Sequence, residues 1–159
     1  MIILGIDPGY AIVGTGVVEY AACRFRVLEA AAVTTPAGEA FPARLARLHA
    51  GVTDIINRHH PTAMAIEKLY FNTNTTTAID VAQARGVLVL AAKQCGVPVF
   101  EYTPLQVKQA VVGYGRAEKQ QVQEMVRLLL RLEARPKPDD VADALAIAIC
   151  HAHTAGGGC

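Results

Sequence analysis

Three short apolar runs rich in β-branched residues open the chain. They cover residues 2–6, 12–19 and 24–34, and only short turns separate them. Runs of this length and composition indicate strands. Because sequential strands joined by short turns usually pair with each other, the pattern predicts an antiparallel meander.

The middle of the chain alternates between helix-like and strand-like segments. An amphipathic helix, ended by His60-Pro61, is predicted by apolar residues at spacings of three and four, namely Leu45, Leu48, Val52, Ile55 and Ile56. Next, the pattern predicts a strand at 62–66, a helix from about 75 to 95 that Gly96 ends, and a strand at 97–102.

Three further helices are predicted at 104–112, at 117–132 and from 139 to about 151. Residues 1–153 are therefore expected to form a single α/β domain. Its mixed five-stranded sheet has three antiparallel strands followed by parallel strands, and helices cover both faces. The last residues, 154–159, include AGGGC and are expected to be a flexible tail.

Composition bounds the function only loosely. Fifteen basic and 14 acidic residues give a net charge of +1, which alone is weak support for a nucleic-acid partner. Four cysteines without C-x-x-C spacing predict neither a zinc site nor a disulfide framework, and favour a reducing compartment. The first ten residues do not resemble a signal peptide, and no apolar run reaches membrane length. We therefore expect a soluble, cytoplasmic protein.

Asp143 is the acidic residue that a structural role explains least well. It lies within VADALAIAIC at 141–150, a segment apolar on every side and therefore typical of a buried helix. A buried carboxylate needs a partner, and this helix supplies no cation. Asp140, three residues earlier, projects from the same face, where the two like charges should repel. A shared cation would resolve both problems, whereas Asp139 is explained by its place at the helix start.

Asp7 and Glu67 each follow an apolar strand. Asp7 lies in Asp-Pro-Gly and could be only a turn residue, and Glu67 could be only a charged strand end. Close packing of the alanine-rich last helix on the sheet would bring both acids to Asp140 and Asp143. Carboxylate oxygens suit Mg²⁺ or Mn²⁺, and a pair of such ions can hydrolyse a phosphodiester. The four acids thus form a candidate metal site.

Six segments of the chain, in their order and spacing, resemble the RuvC family of Holliday junction resolvases over nearly the whole length. They are GIDPGY at 5–10, AIEKLYF at 65–71, QARG at 83–86, VFEYTPLQVKQAVVG at 99–113, AEKQQV at 117–122 and DDVADALAIAICHAH at 139–153. The resemblance implies an RNase H-like fold and a homodimer. It also implies Mg²⁺-dependent paired nicking of four-way DNA junctions, in partnership with RuvA and RuvB.

The resemblance assigns roles residue by residue. The catalytic and metal-binding carboxylates fall on Asp7, Glu67, Asp140 and Asp143, which suggests two Mg²⁺ ions per site, with Mn²⁺ as a substitute. The aromatic residue three positions after the catalytic glutamate falls on Tyr70. DNA-binding lysines fall on Lys108 and Lys119.

The chain departs from the family pattern at two places, and a purely structural role could explain some of the assigned residues. Tyr70 stands where phenylalanine is common, and NTNTTT at 72–77 lacks a lysine that relatives often carry. Tyr70 could belong to the core, and Lys108 and Lys119 could be solvated helix charges. His151 and His153 are interpreted as part of a frayed helix end and receive no role.

Three other functions remain as alternatives. An actin-like ATPase or sugar kinase begins with a similar hairpin but needs a second domain, for which this chain is too short. An RNA:DNA hybrid ribonuclease would share the metal site without explaining the lysine-bearing segments. A silent junction-binding protein would leave four acids as a costly cluster of like charges.

Overall fold

A computed structural model describes residues 1–70 and 75–156, without the side chains of residues 75 and 76. Within these residues the chain forms a five-stranded sheet and five helices. The strands are β1 (Ile2–Asp7), β2 (Ile12–Ala21), β3 (Arg24–Thr34), β4 (Ala63–Glu67) and β5 (Val99–Tyr102). The helices are α1 (Phe41–His59), α2 (Thr75–Gln94), α3 (Pro104–Val112), α4 (Lys119–Leu129) and α5 (Asp139–Ala155).

The sheet is mixed, in the strand order β3-β2-β1-β4-β5. β1 pairs antiparallel with β2, and β2 pairs antiparallel with β3, which confirms the predicted meander. β4 lies parallel to β1, and β5 lies parallel to β4. The predicted fold class is therefore confirmed, including the change from antiparallel to parallel pairing at the centre of the sheet.

Each face of the sheet carries its own hydrophobic core. α3, α4 and α5 cover one face, where Ile3 and Ala65 are buried. α1 and α2 cover the other face, where Leu4 and Met64 are buried. Successive residues of a strand point to opposite faces, so odd-numbered positions of β1 and β4 face α5, and even-numbered positions face α1 and α2.

α5 lies unusually close to the centre of the sheet, because glycines stand where it crosses β1 and β2. A methyl group at Gly5 would overlap the backbone carbonyl oxygen of Ala144, and one at Gly14 would overlap that of Asp140. A methyl group at Gly16 would lie 2.6 Å from Cδ2 of Leu145. Residues 141–142 and 144–152 of the helix are buried, as their apolar sequence predicts.

The prediction of a frayed end at His151 is wrong. α5 continues to Ala155, and the Thr154 hydroxyl donates a hydrogen bond to the Cys150 carbonyl. His151 is buried, and its Nδ1 lies 2.8 Å from the hydroxyl of Tyr102 on β5. A partner on another element therefore stabilises a helix end that the local sequence alone would leave weak. Of the expected tail, 154–155 are helical and 157–159 lie outside the described residues.

α4 is shorter than the predicted 117–132. It begins after Glu118, whose backbone N–H donates to the side chain of Gln121. It ends at Leu129, since Arg131 has a positive φ of 54°. Apolar residues beyond the helix continue its spacing, and the pattern therefore overestimates its length.

Cys23, in the turn between β2 and β3, is disulfide-bonded, although the sequence predicts no disulfide framework. Spacing along the chain does not limit which cysteines meet in a fold. Cys95 and Cys150 are free thiols.

In the described part of the chain, no helix has both the length and the apolar character needed to cross a membrane.

Candidate active site

The ends of β1 and β4 carry the first two candidate carboxylates. β1 and β4 are adjacent and parallel, with Ile6 beside Ile66, so Asp7 and Glu67 leave the same edge of the sheet. Both occupy odd-numbered positions and therefore project toward α5. The strand register alone places these two acids next to each other on one face.

The first two turns of α5 carry the other two. Asp7 pairs across the sheet with Gly14, and Gly14 lies directly beneath the backbone of Asp140. Asp143 follows one turn later on the same helix face. The glycine thus lets α5 approach until its acidic face meets the acidic end of the sheet. The structure brings together all four carboxylates predicted from the sequence.

Their proximity changes the acidity of Asp7. The pKa of Asp7 is raised from 3.8 to about 8, mainly by burial and then by the carboxylates of Asp143, Glu67 and Asp140, while Lys119 lowers it slightly. Burial also raises the pKa of Glu67, and Asp143 adds to this effect. Negative charge in this cluster is therefore strongly disfavoured unless a cation offsets it.

One cation comes from α4. Lys119 Nζ lies 3.2 Å from Oδ2 of Asp143 and 3.3 Å from Oδ2 of Asp139. The expectation that Asp143 is buried without a partner is therefore wrong: its side chain is 35% exposed, and a neighbouring helix supplies the charge. Burial nonetheless raises the pKa of Asp143, and Lys119 only partly offsets that rise.

The donor atoms fit a hard divalent cation, since every candidate ligand is a carboxylate oxygen. Among residues 1–70 and 75–156, no three acidic, histidine or cysteine side chains already converge as closely as metal ligands do. Lys119 pairs with Asp143 and Asp139. The ligand atoms of the cluster thus suit a divalent ion, whereas in this structure Asp143 pairs with Lys119.

A cleft of about 240 Å³ opens beside the carboxylates. Its lining includes Glu67 and Asp143 together with Lys108 of α3 and Lys119 of α4. Lys119 is the first residue of α4 and lies within the capping box formed by Glu118 and Gln121, which fixes the position of its backbone. Both lysines that the resemblance selected therefore border the acidic site.

Tyr70 lies on the loop after β4 and is 63% exposed, so it is not a core residue. It borders a second cleft with Lys68, Arg85 and Glu101. Residues 71–74, which include the first half of the polar stretch at 72–77, lie outside the described residues.

Two contacts near the site involve residues to which the sequence assigned no role. Arg85 of α2 donates a hydrogen bond from Nε to the backbone carbonyl oxygen of Glu67, over 3.1 Å. Tyr102, beside Glu67 in the sheet, contacts the buried His151. The QARG segment was the one signal available for Arg85. Nothing in the local pattern of the chain connects Tyr102 with His151.

The sheet is mixed and five-stranded, helices cover both of its faces, and acids lie at the ends of two central strands and on the last helix. This combination defines the RNase H-like class of nucleases. The family profile described as "Crossover junction endodeoxyribonuclease RuvC" matches residues 3–151. A protein of that name from Rubrobacter xylanophilus is 62% identical over 151 residues, covering 95% of this chain and 84% of the relative. The chain therefore belongs to the RuvC family of crossover junction endodeoxyribonucleases.

Solved structures agree in fold over nearly the whole chain. The Thermus thermophilus RuvC structure has a TM-score of 0.90 at 42% identity, covering 98% of this chain and 96% of that one. T. thermophilus RuvC in complex with a Holliday junction substrate has a TM-score of 0.93 at 42% identity, with coverage of 98% and 94%. The RNase H-like architecture is thus shared across the domain.

Proposed function

We propose that this protein resolves four-way DNA junctions by paired, metal-dependent cuts in opposing strands during recombination and repair. The observation that carries the proposal is the meeting of Asp7, Glu67, Asp140 and Asp143 on one face of the sheet, beside two lysines. Membership of the RuvC family supports the substrate, as does the relative solved with a Holliday junction.

The four carboxylates would hold Mg²⁺, with two ions per site, and Mn²⁺ would substitute because it accepts the same oxygen ligands. Burial and mutual repulsion make negative charge costly at Asp7, so a bound cation would remove an unfavourable interaction. When bound, such ions supply a water of lowered pKa and offset charge on the leaving oxygen of a phosphodiester.

The lysines act on the substrate in this proposal. Burial opposes the charge of Lys119, but Asp143 and Asp139 raise the pKa of its amine, which keeps it protonated. Lys108 borders the same cleft from α3. Two ammonium groups at the rim of an acidic site would bind phosphates of the strand and hold it over the carboxylates.

Tyr70 would contact an unstacked base near the cut. Its ring is exposed on the loop that begins one residue after β4, the strand that ends at Glu67. An aromatic face stacks on any base, so such a contact tolerates sequence variation. It would hold the strand close to the carboxylates without contributing to chemistry.

We also propose that the protein is a homodimer formed through α2. Ile79 is 65% exposed and Leu90 is 50% exposed, and both are apolar residues on one helix. Gly86 lies between them with no atom within 4 Å of where a Cβ would stand, so a second helix could approach there. A two-fold dimer would present two identical sites to a junction that has its own approximate two-fold symmetry.

The remaining assignments depend on the family resemblance. RuvA and RuvB are the expected partners, and the cytoplasm is the expected compartment. Residues 1–153 would act as one nuclease domain.

A gel assay tests the proposal. A synthetic four-way junction and a linear duplex of matched sequence are each incubated with protein, in Mg²⁺ or in chelator. Cleavage of the junction alone, and only with Mg²⁺, is the expected result. Equal cutting of both substrates would contradict junction selectivity, and cutting in chelator would contradict the metal site.

A further inference from the structure

Arg85 connects α2 to the ends of two strands at the edge of the acidic site. Its Nε donates a hydrogen bond to the carbonyl oxygen of Glu67, over 3.1 Å. Its Nη2 donates to Oε1 of Glu101 on β5, over 2.6 Å. The side chain is only 18% exposed, so the surrounding residues hold it in place.

The two acceptors lie on neighbouring strands. Glu101 pairs with Ile66, and Glu67 follows as the last residue of β4. Beyond it, the N–H of Lys68 donates to the carbonyl of Tyr102, over 2.8 Å, which holds the chain to β5. A guanidinium is planar and presents several donors in fixed directions, so it can bind both acceptors at once. Arg85 therefore fixes the backbone of Glu67 relative to β5 and α2.

The position of that backbone determines where the Glu67 carboxylate lies. Glu67 is at a strand end, where the sheet no longer holds the chain on both sides, and a polar loop begins one residue later. Without a donor, its carbonyl would lose a hydrogen bond that partly buried backbone groups usually keep. A rotation of the terminal peptide would move the carboxylate away from Asp7 and Asp143.

We propose that Arg85 is a positioning residue that orients Glu67 for binding a divalent cation. The proposal rests on the proposed function only in assuming that the four carboxylates bind such an ion. In this role Arg85 acts through its hydrogen bond to the backbone of Glu67. The ion pair with Glu101, which is 43% exposed, holds the guanidinium in place but is not itself needed at the site.

Binding of Mg²⁺ by the whole protein, measured by isothermal titration calorimetry without DNA, tests this role. Arg85→Gln should weaken Mg²⁺ binding by about 10- to 100-fold, the usual loss when a residue that orients a ligand is removed. Arg85→Lys replaces the planar guanidinium with a single ammonium group that cannot bind both acceptors in the same geometry, so a loss of about threefold to tenfold is expected. The matched control, Glu101→Gln, keeps the bond to Glu67 and should stay within about threefold of wild type.

Wild-type Mg²⁺ affinity in folded Arg85→Gln would overturn the proposal. Should that variant not fold, wild-type affinity in Arg85→Lys decides against it in the same way. A loss in Glu101→Gln as large as that in Arg85→Gln would assign the effect to the ion pair instead. Wild-type protein that binds Mg²⁺ but cuts no junction would contradict the proposed function and leave this comparison valid.

Discussion

Asp7 is the residue whose environment departs most from that of an ordinary carboxylate. Its pKa in the fold is about 8 against 3.8 in a free side chain, because of burial and the nearby Asp143, Glu67 and Asp140. Between about pH 4 and pH 8 the folded chain therefore keeps a proton that the unfolded chain has released. The contribution of Asp7 to stability therefore falls as pH rises through this window, since its carboxyl group holds more protons in the folded state.

Replacing Asp7 with asparagine should remove much of this dependence. In chelator, Asp7→Asn should melt at a higher temperature than wild type at pH 8 and at nearly the same temperature at pH 4. Thermal unfolding across this range measures the effect. An equally steep decline in both proteins would show that Asp7 is not the group responsible.

Tyr70 should matter for cleavage and little for stability, because its ring is mostly exposed. Stacking on a base contributes about 1 to 3 kcal/mol, so Tyr70→Ala should slow single-turnover cleavage by about 5- to 150-fold. Tyr70→Phe should cleave like wild type, since the hydroxyl is not needed. A large loss of melting temperature in Tyr70→Ala, or unchanged cleavage, would rule out the stacking role.

At this scale the sequence predicts the carboxylates better than their surroundings. Asp143 is conspicuous because it interrupts an apolar segment, and Asp7 because it ends a strand. Lys119 and His151 acquire their contacts from elements distant in the chain, namely α5 and β5. No local pattern encodes those pairings, so they could be found only in the fold.

Among the elements, the crossing of α5 over the sheet does most to assemble the site. Gly5→Ala would force its methyl group against the backbone of Ala144, which cannot move as a side chain can. Overpacking of this kind costs about 1 to 3 kcal/mol and would lift α5 from the sheet. Denaturant unfolding should show that loss, together with weaker Mg²⁺ binding.

The control for this change is Gly38→Ala, because no atom lies within 4 Å of its Cβ position. It should be neutral or slightly stabilising. Equal losses in the two variants would mean that close approach of α5 is not what Gly5 provides.

Element identities follow from apolar periodicity, and the predicted and observed bounds agree at β3 and α3. Ends are less predictable where tertiary contacts decide them. α5 extends past His151 because Tyr102 and Thr154 hold its last turn. α4 stops at Leu129 although apolar residues continue, because the backbone turns at Arg131.

At the scale of the whole molecule, we expect the dimer to form through α2. Polar substitutions of its exposed apolar residues, Ile79 and Leu90, should then separate the subunits. Ile79→Ser combined with Leu90→Ser should sediment as a monomer at concentrations where wild type is a dimer. Leu128→Ser, on α4 and equally exposed at 51%, should remain dimeric. A wild-type monomer at working concentrations, with single unpaired nicks, would contradict the assembly.

The central claim is that four acids from β1, β4 and α5 act as one metal site on a four-way junction. It is tested most directly by mapping incisions on a junction labelled in each of its four strands. Wild type should cut two opposing strands at related positions in Mg²⁺. Single substitutions of the four acids should each leave junction binding intact and abolish cutting, since the lysines remain but a ligand is lost. The variants are Asp7→Asn, Glu67→Gln, Asp140→Asn and Asp143→Asn. Retained cutting by any two of these variants would contradict the account.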